Sequence, residues 1–190
     1  MIELIYPLEP APLAGPEALA SETVPVVDEN GMVIGRASRE FCHGQSSETS
    51  LLHPVVHLQI VDRYSRFFLQ HRSENKETFP GRWDTAVGGH VAYGEYYQEA
   101  LFREAGEELG FYDFNPQYLD NYIYQAENDR EMIGLYVAVG SFDLHPDNYE
   151  VSEGRYWSLE EIDANLGKDV FTPEFENEYL LYKEQILALL

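Results

Sequence analysis

Residues Gly89 to Phe111 have the sequence GHVAYGEYYQEALFREAGEELGF, and this stretch decides how the rest of the chain is interpreted. Its apolar spacing predicts a helix from about Tyr96 to Leu109, and Gly110 stands where a left-handed helix end is expected. At 100° per residue, one side of this helix is apolar and the neighbouring side carries three glutamates. Those three are Glu104, Glu107 and Glu108.

The three glutamates form a carboxylate cluster that an isolated helix does not favour. Glu104 and Glu108 are a like-charge pair four residues apart, which destabilises a bare helix by roughly 0.2 to 0.5 kcal/mol. Arg103 lies four residues before Glu107 and can neutralise one charge. A solvated acidic face explains many charge clusters, but carboxylate oxygens around a common point also suit Mg²⁺ or Mn²⁺. The cluster therefore predicts a divalent-metal site.

The spacing around the cluster favours the metal site over a solvated face. Gly89 is followed after five residues by Glu95, and after a further seven by the run from Arg103 to Phe111. Seven positions in this pattern accept a single residue type, so chance agreement at a given start is on the order of 10⁻⁹. In all of them the chain resembles the Nudix superfamily, whose box is a loop-helix-loop that holds a divalent metal against a diphosphate.

The resemblance implies a role for each charged residue of the box. It makes three carboxylates the ligands of Mg²⁺ or Mn²⁺: Glu104, Glu107 and Glu108. It makes Arg103 the residue that orients them, and Glu95 a supporting carboxylate at the start of the helix. Many Nudix enzymes also recruit a glutamate from a later region as general base, and the candidates here are Glu150 and Glu153.

A second, narrower resemblance runs from Val26 to Gly110, towards the branch that contains isopentenyl diphosphate isomerase. It is carried by Asp28-Glu29-x-Gly31, by Gly35 and by Phe79-Pro80-Gly81-x-Trp83-Asp84. That branch holds a metal with histidines and with acids of a later strand. The matching positions in this chain are His43, His53, His90, Asp129 and Glu131.

The same branch also suggests how an acidic chain contacts phosphate. Arg72 and Lys76 match its phosphate-contacting positions, and Arg82 lies in the same loop. In contrast, His57 alternates within an apolar strand and is interpreted as a structural residue.

Two departures separate the chain from the isomerase itself. Gly88 stands where the isomerase has its catalytic cysteine, and Cys42 is far away in the sequence. The box is also intact here, whereas it is degenerate in the isomerase. Both departures predict hydrolysis.

Composition limits the partners. The chain has 34 acidic and 12 basic residues and a formal charge of −22, which disfavours nucleic acid as a partner. Cys42 is the single cysteine, so an intrachain disulfide is excluded. The first fifteen residues carry glutamates and prolines rather than a basic and apolar leader, and no apolar run approaches a membrane span. We expect a cytoplasmic protein without membrane contact.

The order of elements predicts the fold class. Residues 1–23 are interpreted as an amino-terminal arm, and residues 24–190 as one Nudix domain that begins with a hairpin at 24–36 around Asn30-Gly31. Further strands flank the box helix. Ser158 with Glu161 and Thr172 with Pro173 predict the starts of two later helices. The expected fold is an α/β (α+β) sandwich of the Nudix type, with a mixed central sheet between helices.

The predicted function is divalent-metal-dependent hydrolysis of a phosphate-phosphate bond in a small organic or nucleoside diphosphate, by a metal-activated water. One alternative is an isomerase-like enzyme, and a second is a Nudix protein that binds a ligand without catalysis. The resemblance also implies a homodimer. Specificity in this superfamily resides in loops outside the box, so the substrate stays open.

Overall fold

The computed structural model describes residues 3–14, 23–43, 50–147 and 149–190. They form two compact units. The first comprises Met1–Val56, Gly89–Leu101 and Asp120–Leu135, and the second comprises His57–Gly88, Phe102–Leu119 and Tyr136–Leu190. Each unit is built from three separate segments, so the division marks no single boundary along the sequence. The predicted domain from 24 to 190 stays a prediction.

A three-stranded sheet forms part of the first unit. Its strands are β1 (Leu13–Ala14), β2 (Thr23–Val27) and β3 (Val33–Ser38), in the order β1-β3-β2. Strands β2 and β3 are the predicted hairpin, and Gly31 has a φ of 77° in the turn between them. The short helix α1 (Arg39–Cys42) follows, with Ser38 as its N-cap. No sequence pattern predicts α1 or β1.

The amino-terminal residues pack on this hairpin. Strand β1 pairs with β3 in parallel, and Ile5 forms a bridge with Met32. Leu4 and Ala11 are buried. The amino-terminal segment has no periodic pattern, yet its apolar residues pack against the hairpin. Composition alone does not predict this packing.

Within the part of the chain that the structure describes, seven strands form the central sheet. They are β4 (His53–Val61), β5 (Phe67–Arg72), β6 (Trp83–Asp84), β7 (Val87–His90), β8 (Gln117–Gln125), β9 (Arg130–Val139) and β10 (Val151–Trp157). The order is β10-β5-β4-β9-β8, with β6 paired to β5 and β7 to β4. The predicted mixed sheet is confirmed. Strands β6 and β7 have two and four residues, which is too short for a periodic sequence pattern to predict them.

Three helices carry the predicted end signals. Helix α2 spans Tyr97–Leu109, α3 spans Leu159–Asn165 and α4 spans Pro173–Leu187. Both bonds of the capping box at Ser158 are present, and the Thr172 side chain caps α4. Gly110 has the left-handed φ of 59°. None of the helices in the described ranges combines the length and apolarity needed to cross a membrane.

In the second unit, the carboxyl end of α2 and the helix α4 cover opposite faces of the sheet. Gln70 of β5 contacts Glu108 of α2, whereas Phe67 of the same strand packs on Tyr179 of α4. Side chains three positions apart on a strand point to opposite faces. The sheet therefore lies between helices, as the sequence predicts.

Candidate active site

The glutamates of α2 lie at different depths in the second unit. Glu108 is 5% exposed, while the side chain of Glu104 is 15% exposed and that of Glu107 is 62% exposed. The apolar face of the helix explains the order, because Ala105 and Leu109 flank Glu108 in the core. One carboxylate is therefore buried, one is at the boundary and one faces solvent.

Glu108 is held by two neutral donors. Gln70 Nε2 donates to Glu108 Oε2 at 3.1 Å, and the backbone N–H of Gly88 donates to the same oxygen at 3.3 Å. Burial, followed by the charge of Glu104, raises the pKa of Glu108 to about 8. A cation bound beside this buried carboxyl group would stabilise its ionised form.

Arg103 links the other two glutamates of the cluster. Its Nη1 donates to Glu104 Oε1 at 2.7 Å and to Glu107 Oε2 at 3.4 Å. Burial raises the pKa of Glu104, although Arg103 opposes the shift. The position of Arg103 fits the orienting role that the resemblance implies.

Lys76 and Glu150 add a second charged pair beside Glu108. The Lys76 ammonium group donates to a Glu150 carboxylate oxygen. The charge of Lys76 lowers the pKa of Glu108 and that of Glu150 raises it, so both groups act on the buried carboxyl. Glu153 instead lies on β10 opposite His71. Of the two candidate bases, Glu150 is the one whose charge acts on the cluster.

The two candidate phosphate-binding arginines already contact protein groups. Arg72 Nη1 donates to Asp84 Oδ2 at 3.0 Å, and its Nη2 donates to the carbonyl oxygen of Thr78. Arg82 Nη2 donates to Asp169 Oδ1 at 2.8 Å. A phosphate at either guanidinium would therefore share it with a carboxylate.

Glu95 lies in the first unit, in the turn before α2. Its side chain accepts a hydrogen bond from the Ala92 N–H at 2.9 Å, and its carbonyl oxygen accepts one from the Tyr6 hydroxyl at 2.6 Å. These contacts fix the turn that starts the box helix.

Three histidines of the first unit lie together. The rings of His53 and His90 are stacked at 5.1 Å, and His43 lies 5.3 Å from His53 and 5.6 Å from His90. One potential ligand atom from each of the three lies within 4.8 Å of the others. The sequence separates these residues by up to 47 positions, and only the fold brings them together.

Two acids complete this histidine cluster. His43 Nδ1 lies 3.0 Å from Asp129 Oδ2, and ligand atoms of His53, Asp129 and Glu131 also lie within 4.8 Å of one another. Burial opposes ionisation of Asp129, but the hydrogen bond from His43 and the electrostatic interaction with that ring hold the pKa of Asp129 below its ordinary value. An ionised carboxylate therefore lies among the three imidazoles.

His53 is the most deeply buried member of the histidine cluster. Its Nδ1 lies 2.8 Å from the carbonyl oxygen of Leu51, whereas its Nε2 is buried and has no hydrogen-bond partner among the described residues. Burial lowers the pKa of His53, which keeps the ring neutral and able to act as a metal ligand.

A family model described as the NUDIX domain matches residues 51–175. The chain belongs to the Nudix family. An uncharacterised Nudix hydrolase of Streptomyces coelicolor is 32% identical over 162 residues, covering 84% of this chain and 87% of the relative. The predicted Nudix hydrolase is confirmed at the level of the family.

The isomerase branch is represented among the relatives of this Nudix protein. An isopentenyl-diphosphate Delta-isomerase of Brevibacterium linens is 31% identical over 151 residues, covering 76% of this chain and 81% of the relative. A crystal structure from Deinococcus radiodurans matches with a TM-score of 0.70 at 20% identity, covering 87% of this chain and 99% of that one. The predicted lineage and fold are both confirmed.

Sequence reasoning missed Gln70 as a neighbour of the Nudix box. The one signal available was a polar residue at the end of the apolar run Phe67-Phe68-Leu69. Gln70 is only 2% exposed, and its burial is tolerated because its side-chain amide donates a hydrogen bond to Glu108. A buried amide in a strand needs a partner, but the sequence does not name that partner.

Proposed function

We propose that this Nudix protein hydrolyses a phosphate-phosphate bond in a small organic or nucleoside diphosphate. The observation that supports the proposal best is the buried carboxyl of Glu108, beside Glu104 and within reach of the charges of Lys76 and Glu150. Nudix proteins act on small molecules, and the acidity of this chain disfavours a nucleic-acid substrate.

The donor set of the box fits Mg²⁺ or Mn²⁺. It offers carboxylate oxygens of Glu104, Glu107 and Glu108, which hard divalent cations prefer. The raised pKa of Glu108 means that binding a cation releases a proton from a group otherwise protonated near neutral pH. Such an ion supplies charge neutralisation at phosphate and a lower pKa for its bound water.

The remaining charged groups have separate tasks in the proposal. Glu150 accepts the proton of the attacking water, and Glu153 stays the second candidate for this task. Lys76 bonds Glu150 and contacts a substrate phosphate. Arg72 and Arg82 add positive charge at the same loop. Arg103 keeps Glu104 and Glu107 oriented.

We also propose a second metal site at the histidine cluster. The buried Nε2 of His53 lacks a hydrogen-bond partner among the described residues, and the carboxylate of Asp129 faces it at 3.8 Å. Imidazole and carboxylate ligands together suit a transition metal such as Mn²⁺ or Zn²⁺. Its ligands would be His43, His53, His90, Asp129 and Glu131.

The function is tested with a panel of nucleoside, sugar, coenzyme and isoprenoid diphosphates in Mg²⁺ or Mn²⁺, with product release as the measurement. Glu108→Gln should lower kcat by a factor on the order of 10³, because it removes a carboxylate ligand of the cation that would stabilise the negative charge of the transition state. Glu99→Gln on the same helix is the matched control, since its amide oxygen can still accept the Tyr96 N–H. Equal turnover by wild type and Glu108→Gln would refute the mechanism.

The isomerase relative makes isomerisation the second candidate. Gly88 offers no thiol, and burial raises the pKa of the Cys42 thiol to about 12, which makes it a poor nucleophile or acid. We therefore expect no solvent proton exchange into isopentenyl diphosphate. Exchange above the buffer rate, followed by NMR in deuterated water, would favour the isomerase instead.

A further inference from the structure

A buried amide of the central sheet contacts the box directly. Gln70 of β5 donates through Nε2 to Glu108 Oε2 at 3.1 Å and to the carbonyl oxygen of Ala86 at 3.4 Å. Both partners are acceptors, so the amide nitrogen of Gln70, and not the amide oxygen, must face them. The bond to Ala86 also fixes the amide itself, because rotation of the Gln70 side chain would break both bonds.

The two carboxylate oxygens of Glu108 have different surroundings. Oε2 accepts hydrogen bonds from Gln70 Nε2 and from the backbone N–H of Gly88, at 3.1 Å and 3.3 Å. Oε1 accepts no hydrogen bond from any of the residues that the structure describes. Of the two oxygens, Oε1 is therefore the one left for a cation.

The helix alone does not determine where this carboxylate lies. Helix α2 fixes the Cα of Glu108, but the glutamate side chain has three rotatable bonds and can place its carboxylate in several positions. The flanking Ala105 and Leu109 are apolar and offer no side-chain donor. Gln70 makes the shorter of the two bonds to Oε2, so its loss would leave the carboxylate with the longer bond from Gly88.

We propose that Gln70 is a positioning residue for the metal site, which holds Oε2 of Glu108 and thereby presents Oε1 to the cation. The inference rests on the proposed function, in which Glu108 is a metal ligand. Loss of a hydrogen bond behind a metal ligand commonly lowers metal affinity by roughly 10- to 100-fold. An amide suits this task because it is neutral, whereas a basic side chain would compete with the cation for the charge of Glu108.

A crystal structure of the wild-type protein with Mn²⁺ tests the geometry directly. We expect Mn²⁺ to bind one carboxylate oxygen of Glu108, while Gln70 Nε2 still donates to the other. Loss of the Gln70 bond when Mn²⁺ binds would overturn the proposal, and so would coordination of Mn²⁺ by both oxygens. If no Mn²⁺ bound at the box, both the positioning role and the proposed function would fail.

Gln70→Met tests the same role in solution. Methionine has a side chain of similar length without an N–H donor, so the core stays filled while Oε2 loses its shorter bond. We measure binding of Mn²⁺ alone by calorimetry and expect the affinity of the box to fall about 10-fold or more. Glu108→Gln identifies which part of the Mn²⁺ binding belongs to the box and which belongs to the proposed histidine site.

Gln59→Met is the matched control. Gln59 is also a buried glutamine of the central sheet, and its Nε2 donates to the buried carboxylate of Glu178 on α4. Glu178 has a second partner in His57, whose Nδ1 lies 2.9 Å from Oε2. Each methionine variant removes one donor from a buried carboxylate, so both should lose stability in urea. Only Gln70→Met should also lose Mn²⁺ affinity.

The outcomes separate positioning from stability and from the proposed function. Unchanged Mn²⁺ affinity in Gln70→Met would overturn the positioning role, and equal losses of affinity in both methionine variants would overturn it too, because they would indicate general destabilisation. In turnover assays, the role predicts a lower kcat and a KM within about twofold of wild type. If the wild type bound Mn²⁺ but hydrolysed no diphosphate, the proposed function would fail, while the Mn²⁺ structure and affinities would still decide the role of Gln70.

Discussion

Glu107 and Glu108 are adjacent in the sequence and have opposite surroundings. The side chain of Glu107 is 62% exposed, whereas Glu108 as a residue is only 5% exposed. Burial raises the pKa of Glu108 from near 4.5 to about 8. Between about pH 4.5 and 8, the folded chain therefore keeps a proton on Glu108 that the unfolded chain has already released. In this window the stability of the metal-free protein falls as the pH rises.

Glu108→Gln should remove this loss of stability. Each unit of pKa shift corresponds to about 1.4 kcal/mol, so we expect Glu108→Gln to be more stable than wild type by about 2 to 4 kcal/mol at pH 8. At pH 5 the two should be nearly equal. The measurement is urea unfolding with a chelator present. Glu107→Gln is the control and should follow wild type, and parallel pH dependence of wild type and Glu108→Gln would contradict the prediction.

In the first unit, the start of α2 packs closely on β9 at a glycine, Gly134. A Cβ on Gly134 would lie 2.7 Å from Tyr97 Cδ1. Tyr97 is 4% exposed, and its hydroxyl donates to the carbonyl oxygen of Met132. The ring therefore has no room to move aside. Close approach of the helix to the strand depends on the missing side chain.

We expect Gly134→Ala to destabilise the protein by about 1 to 3 kcal/mol, the usual range for overpacking in a core. Gly35→Ala in β3 is the matched control, because its Cβ would meet its nearest neighbours at 3.5 Å, an ordinary contact. The free energy of unfolding in urea measures both. Equal stability of the two variants would show that Tyr97 repacks freely.

At the scale of the whole molecule, we propose a homodimer formed through the amino-terminal arm or hairpin. An exposed apolar stripe supports this surface: Ile5 is 56% exposed, Met32 43% and Ile34 55%. Ile5 bridges Met32, and Ile34 follows Met32 by two positions in the hairpin. Apolar side chains exposed side by side commonly mark an interface.

Light scattering should therefore give about twice the chain mass of 21.8 kDa. Ile34→Lys should shift the protein towards the monomer, because it places a charge in the apolar stripe. Leu180→Lys is the control, since Leu180 is 67% exposed on α4, outside the stripe. A monomeric mass for the wild type would rule out the dimer.

The sequence by itself determined the elements whose signals are local. The end of α2 at Gly110, the capping box at Ser158 and the cap of α4 at Thr172 all lie where the sequence predicts them. These signals depend on backbone hydrogen bonds within four residues. The side of α2 that carries the glutamates follows from the same short period. Box spacing likewise determined the family.

Only the tertiary structure decided which residues surround the box. Gln70 lies 38 positions from Glu108. The helical period places Glu107 and Glu108 on the same side of α2. It does not predict that one is buried and the other exposed, because burial depends on what packs against the helix. Contacts between distant segments are selected by packing of the whole chain, and a single sequence does not encode them in any local pattern.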